Sequence, residues 1–268
     1  MDREKKGNIM ATIRADRLKK LQTMRLLAGD HKSVGEGLCA MEAAAWLAGE
    51  PHSSTPRCVC PVIAAFLRSW NDAIADDDER TAIIRPLVTW AIGTRSTKQV
   101  EKRRALMAID WSVRTFTPEW LDLCNERYAV HTSALRSLPA ITSFKDLIAA
   151  VPILAHLKKQ AASARLDAMT DTATWDDFRD SAWESVSASG VAAFKDAAMT
   201  GAWDDASSSA FDDVWNEVLD DAWDAADSWD IAWDAASAAA LDDAKNLAQI
   251  KGKLQASAAE LVRRMCEA

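Results

Sequence analysis

The sequence predicts an all-α fold: a helical N-terminal domain followed by long acidic helices rich in Trp and Ala. Three observations carry that prediction. Only nine Gly and seven Pro occur in 268 residues, too few for a turn-rich β fold. Helix-capping signals recur along the chain, each followed by apolar residues at three- and four-residue spacing. No alternating apolar–polar run or hairpin pair competes with them.

Taken in order, residues 10–28 read as an amphipathic helix with Met10, Ile13, Leu21 and Met24 on one face, closed by Gly29. A second helix near 36–48 ends at Gly49, and GEPHSSTPRCVCP (49–61) follows as a loop, because its Pro and Ser oppose regular structure. Helix resumes over 61–75 with Pro61 in the first turn. Asp76 to Glu79 then precede a helix that Pro86 kinks and Gly93 ends. Ser96 with Gln99 forms a capping box for 97–115, and Thr117-Pro118 reads as an N-cap and first-turn proline for the next helix. Ser143 and Asp146 repeat the capping box ahead of FKDLIAAVPILAHLKKQAASARLDAM.

Beyond about residue 170 a Trp-led unit recurs at irregular spacing (WDDF at 175, WESV at 183, WDDA at 203, WNEV at 215, WDAA at 223 and 233), which is no solenoid of fixed period. Gly190 and Gly201 break this part into two or three helices. The last of them starts near Ser207–Ser209 and runs to about Ile250, and KGKLQASAAELVRRMCEA makes a separate terminal helix. The expected division is a mildly basic domain over 1–165 and an acidic subdomain over 166–268.

On a helical wheel of about 100° per residue, Trp215, Leu219, Ala222, Ala226, Trp229, Trp233, Ala236 and Ala240 fall on one stripe. Trp223 sits at its edge. Asp220, Asp224, Asp227, Asp234 and Asp242 fall on a separate ridge. The stripe predicts Trp packed into Ala gaps on a neighbouring helix, with a partly exposed Trp row as the alternative.

Net charge separates the halves. Residues 171–250 hold nineteen acidic residues against three basic ones, and Asp196 to Ala244 hold fourteen acids with no Lys, Arg or His. Unrelieved like charge costs a helix stability, so a counter-surface is expected. It is the chain's own basic half, near Arg14–Arg25 or Lys98–Arg104, a cationic groove on a partner, or both. Direct nucleic-acid binding finds some support in RSTKQVEKRR (95–104), but the acidic segment opposes approach to phosphates.

The chain lacks an apolar run long enough for a signal peptide or a membrane span, which predicts a soluble cytoplasmic protein with no membrane partner. Five Cys, an odd number, are no disulfide framework. Cys39, His52, Cys58 and Cys60 form the one mixed set that zinc could use, at unfavourable spacing; buried thiols beside a loop His are the simpler reading. Cys58 or Cys60 with His52 as base lacks any oxyanion site. Phosphate-loop, GxSxG and HExxH motifs are absent. Asn71-Asp72 reads as the polar face or end of a helix, and His31, His131 and His156 as isolated structural residues.

The segment CAMEAAAWLAGEPHSSTPRCVCPVIAAFLRSWND (39–72) resembles one found in uncharacterised phage and actinobacterial proteins. There a C-x-x-E helix leads into AGE, a Ser/Pro loop, a Cys and an ND pair, followed by Ala-rich segments with A-W-x-A-A units. The resemblance implies a phage or prophage setting, and no particular activity comes with it.

The functional expectation is a non-enzymatic interaction protein, phage-encoded, whose acidic helices occupy a basic site on a host protein. Where that site normally holds nucleic acid, the ridge acts as a nucleic-acid mimic, an inhibitor of a defence nuclease. Two alternatives stay open. One is an assembly protein that oligomerises through the Trp/Ala seam; the other is a zinc enzyme built on the Cys/His set.

Overall fold

The computed structural model describes residues 13–122, 128–168, 186, 188, 190, 193, 197, 200, 231–236 and 244–268. Every regular element among them is helical, with no strand. None of these helices is long and apolar enough to cross a membrane.

The first helix, α1 (Ala15–Leu21), is shorter than its periodicity predicts. Residues 24–27 leave the helix because other elements supply partners for their backbone. Leu26 N–H donates to Thr81 Oγ1 at 2.9 Å, Leu27 N–H to Leu38 O at 3.0 Å, and Leu27 O accepts from Asn71 Nδ2 at 2.9 Å. Buried backbone groups must be paired, and here tertiary partners outcompete the i→i−4 ladder.

Helix α2 (Ala40–Ala48) ends at Gly49, whose φ of 77° is the left-handed geometry that glycine adopts without strain. Helix α3 (Pro61–Ala73) starts on Pro61 as expected. Helix α4 (Asp77–Ala91) is capped by Asp76, which accepts from Glu79 N–H at 2.7 Å, and it runs through Pro86. Helix α5 (Lys98–Trp111) is capped by Thr97 accepting from Val100 N–H, one residue later than the Ser96 cap expected.

Thr117 does not start a new helix. The chain passes from α5 through a π-helical turn (Ser112–Phe116) into α6 (Thr117–Leu121). Pro118 has no N–H for a regular i→i−4 bond, and the wider turn absorbs the defect. Thr117 returns both its N–H and its hydroxyl to Ser112 O. After α7 (Ala129–Ser137), Asp146 accepts from Thr142 and Ser143 N–H, each at 2.8 Å. A 3₁₀ turn (Phe144–Ala149) then leads into α8 (Val151–Ala168).

The last helix, α9 (Ala244–Glu267), runs without a break across Ile250 and Gly252, so the two helices expected there are one. It packs on α3, α4, α5 and α6.

Two buried clusters share α5. Ala105 and Ala108 face the main one, while Leu106 and Ile109 face the second, which α6, α7 and α8 complete. Through the main cluster runs an edge-to-face aromatic chain: Phe66 meets Trp70 at 5.9 Å and Trp111 at 6.2 Å between ring centroids. Both indoles are satisfied, Trp70 Nε1–H by Ala188 O at 2.9 Å and Trp111 Nε1–H by Ser257 Oγ at 2.8 Å. The main cluster also takes in Val186, Ala193, Ala197, Ala232, Ala236 and Leu254. Buried side chains therefore join across the boundary expected near residue 165.

Candidate functional site

The densest polar arrangement inside the body begins at the start of α2. A helix N-terminus exposes backbone N–H groups that need acceptors. Cys39 is the N-cap, in extended conformation, and its thiol accepts from the N–H of Glu42. Glu42 Oε2 returns to Cys39 N–H at 2.8 Å, which closes a capping box with a thiol where a hydroxyl is usual. The C-x-x-E spacing is thus a helix start.

Glu42 does more than cap. Its side chain is 1% exposed, and Oε1 accepts His31 N–H at 2.7 Å while Oε2 accepts His31 Nδ1–H at 2.8 Å. His52 Nε2 lies 3.3 Å from Oε1 and 2.7 Å from His31 O, two acceptors that assign the proton to Nε2. Burial pushes the Glu42 carboxyl up, but the His31 and Cys39 donors outweigh it and hold its pKa below the ordinary 4.5. Gly37 makes room for the ring: a Cβ there would sit 3.1 Å from His31 Nε2 and 2.4 Å from Leu27 Cδ1.

The Asn-Asp pair lies at the end of α3, beside this cluster, with Asn71 buried and Asp72 exposed. Buried Asn71 accepts from Ala40 N–H at 3.2 Å and donates to Leu27 O, while Asp72 accepts from Gly29 N–H at 2.8 Å. Arg80, 1% exposed, donates to Asn71 O at 2.6 Å and to Ile74 O, and pairs with Asp77. These side chains stitch residues 26–42 to α3 and α4.

The predicted zinc set is not assembled. No three of Cys39, His52, Cys58 and Cys60 bring ligand atoms within 4.8 Å of one another. The α2 N-cap commits Cys39, Cys60 is the residue before α3 and its thiol makes no capping bond, and the loop holds its shape through Gly93 N–H to Cys58 O. Asp30, Cys39 and Glu42 do cluster within that distance. Both oxygens of Glu42 are already occupied by N–H donors, however, and burial pushes the Cys39 thiol up to about 12. Burial and the neighbouring Glu50 raise Cys58 to about 12 as well, and burial does the same for Cys266. These three thiols are protonated at neutral pH, which is the wrong state for a nucleophile.

Of the expected acidic ridge and Trp seam, Asp220, Asp224, Asp227, Asp242, Trp215, Leu219, Trp223 and Trp229 lie outside the described residues. Trp233 packs on the main cluster and Ala236 is buried in it. Asp234 is 6% exposed, so it does not belong to an exposed ridge. The reason is visible in its neighbours: Ala232 and Ala236 enter one cluster, while Ile231 and Ala235 enter the other. That helical turn passes between two cores, and within 231–236 only Trp233 keeps partial exposure.

Several of the basic residues expected to receive the ridge have partners among the described residues. Arg25 pairs with Asp78, Arg17 donates to Trp46 O, and Arg95 and Lys98 approach Glu101 at 3.6 and 3.5 Å. Arg104 is buried, donating to Thr94 O at 2.6 Å, Met265 O at 2.7 Å and Ala268 O at 3.1 Å.

Sequence reasoning read His31 as an isolated structural residue and missed its link to Glu42, which leaves no periodic signature. It also missed that His131 and His156 are stacked with ring centroids 5.0 Å apart. No family model matches the chain, and no curated protein or solved structure matches it either.

Proposed function

We propose that this protein is a non-enzymatic interaction protein whose acidic segment occupies a cationic surface on another protein. One observation carries the reading: fourteen acidic residues and no basic ones between Asp196 and Ala244. Such a field selects cationic partners and speeds their approach.

The helical body supports this reading. Arg25 pairs with Asp78, and Arg95 and Lys98 approach Glu101, carboxylates that belong to the helical body itself. Both oxygens of Glu42 are taken up by N–H donors, and three thiols are held protonated. Ala232 and Ala236 are buried and Trp233 packs on the same cluster, all within this chain, which takes support from oligomerisation through that part of the seam. A surface that ordinarily binds nucleic acid is the natural counterpart of a carboxylate array, and its occupation would block that nucleic acid. A phage-encoded inhibitor of a host nuclease is one protein of this kind.

The test is affinity capture from a bacterial lysate by the full chain and by a variant carrying Asp220→Asn, Asp224→Asn and Asp227→Asn. The captured partner should be lost from the variant and released from the parent by salt, and duplex DNA should compete for it. Undiminished capture by the variant at low salt overturns the reading.

A further inference from the structure

Away from the Glu42 cluster, the seam between α7 and α8 gathers an arrangement that nothing above uses. The rings of His131 on α7 and His156 on α8 have centroids 5.0 Å apart, with planes inclined by 28°. Two polar atoms of these helices are buried without a hydrogen-bond partner: Nδ1 of His131 and Oε1 of Gln160. Gln160 lies one helical turn beyond His156, and neighbours at that spacing share a face. Tyr128, a turn before His131, donates to Gln160 O at 3.2 Å and pins the two helices together at this level.

Buried polar atoms without partners are rare in folded proteins, and each asks for a water or an ion. Imidazole nitrogen binds zinc at about 2.0–2.1 Å, which sets each ring centroid about 3.2 Å from the metal; at a tetrahedral angle the two centroids are then about 5 Å apart. The observed spacing matches that value. His156 is exposed, so an ion has a route in from solvent.

We propose that His131, His156 and the side-chain oxygen of Gln160 form a site for a zinc-class divalent cation, with water completing the tetrahedron. Imidazole donors select such ions over calcium or magnesium, which prefer all-oxygen sites.

The experiment is calorimetric titration of the full chain, stripped with a chelator, with zinc chloride, alongside visible absorption with cobalt(II). One saturable site with a tetrahedral cobalt spectrum is expected. His156→Ala should weaken it by about 100-fold or more, since even an outer partner of a metal ligand is worth 10- to 100-fold. Gln160→Ala should weaken it less, and His52→Ala should leave it unchanged. Because His156 is exposed, its replacement leaves the core packing alone, and an unchanged melting curve without zinc verifies that. Two rings that merely stack would bind no zinc; that result overturns the proposal, as does equal binding by parent and His156→Ala.

Discussion

His31 grips both oxygens of Glu42, its backbone N–H on Oε1 at 2.7 Å and its ring Nδ1–H on Oε2 at 2.8 Å. One residue of an irregular segment thereby fastens to the first turn of α2, in a site where the carboxylate is 1% exposed. Removing an acceptor from such a place costs more than forming the bonds contributes, because each orphaned donor stays desolvated.

Glu42→Gln keeps the shape of the side chain but turns an acceptor into an N–H₂ donor facing His31 or Cys39 N–H groups. A loss of about 3 kcal/mol follows. It would lower the melting temperature by on the order of 10 °C. Urea unfolding of parent, Glu42→Gln, His31→Ala and the double variant checks this. The pair should show a coupling energy, and additive losses would contradict the link.

The same carboxylate makes stability depend on pH. Its folded pKa is below the ordinary 4.5, so the folded state holds the proton less tightly than the unfolded chain does. The contribution is complete above 4.5 and is lost as pH falls through the folded value. The stability gap between parent and Glu42→Gln should therefore shrink as pH is lowered below that point. A gap that stays constant down to acid unfolding would argue against an ionised Glu42.

Thiol chemistry gives a third expectation. With values near 12, Cys39, Cys58 and Cys266 expose roughly one thiolate in ten thousand at pH 8. Iodoacetamide mapped by mass spectrometry should label them slowly in the folded protein and rapidly in denaturant. Cys58 and Cys266 are the informative ones, because they are only partly buried. The sign for stability is opposite to that of Glu42: raised thiol values favour the folded state below 9, and this is lost as pH rises beyond it.

Arg104 closes the C-terminal end of α9 by donating to Met265 O and Ala268 O while also holding Thr94 O. Arg104→Lys offers a point charge in place of a planar fork and cannot reach all three oxygens. A loss of about 2–3 kcal/mol is expected. Hydrogen exchange should show the last turns of α9 opening first; uniform protection across that helix would contradict the capping role.

Much of the fold was legible because capping is local chemistry. Asp76, Pro61 and Gly49 mark their helix ends within a few residues of sequence. Periodicity misled where distant partners intervened. Met24 continues the apolar stripe of α1, yet the neighbouring backbone is captured by Thr81, Leu38 and Asn71 from elsewhere in the chain. Thr117-Pro118 has every local mark of a helix start, but the π turn before it lets the helix continue.

The candidate sites divide in the same way. Cys39 and Glu42 are three residues apart and were visible as a pair, although their purpose was not. His31, His52 and Asn71 reach that start of α2 from three separate segments, and no spacing announces it. Asp234 shows the limit of a helical wheel most directly. A wheel divides one helix into two faces, but it cannot report a second core on the far side.

By itself the sequence determined the all-α class, several helix ends such as Pro61, Asp76 and Gly49, and the segregation of charge, because propensity, capping and net charge are properties of neighbouring residues. Only the tertiary structure decided which side chains are buried together, since that depends on contacts between residues far apart in the chain. It made a hydrogen-bonded clamp of the Cys/His/Glu motif, a stacked pair of two scattered histidines and a helix cap of a basic residue in a charged run. Packing brings the hydrogen-bonded groups among these within about 3 Å of their partners, where donors and lone pairs set their chemistry.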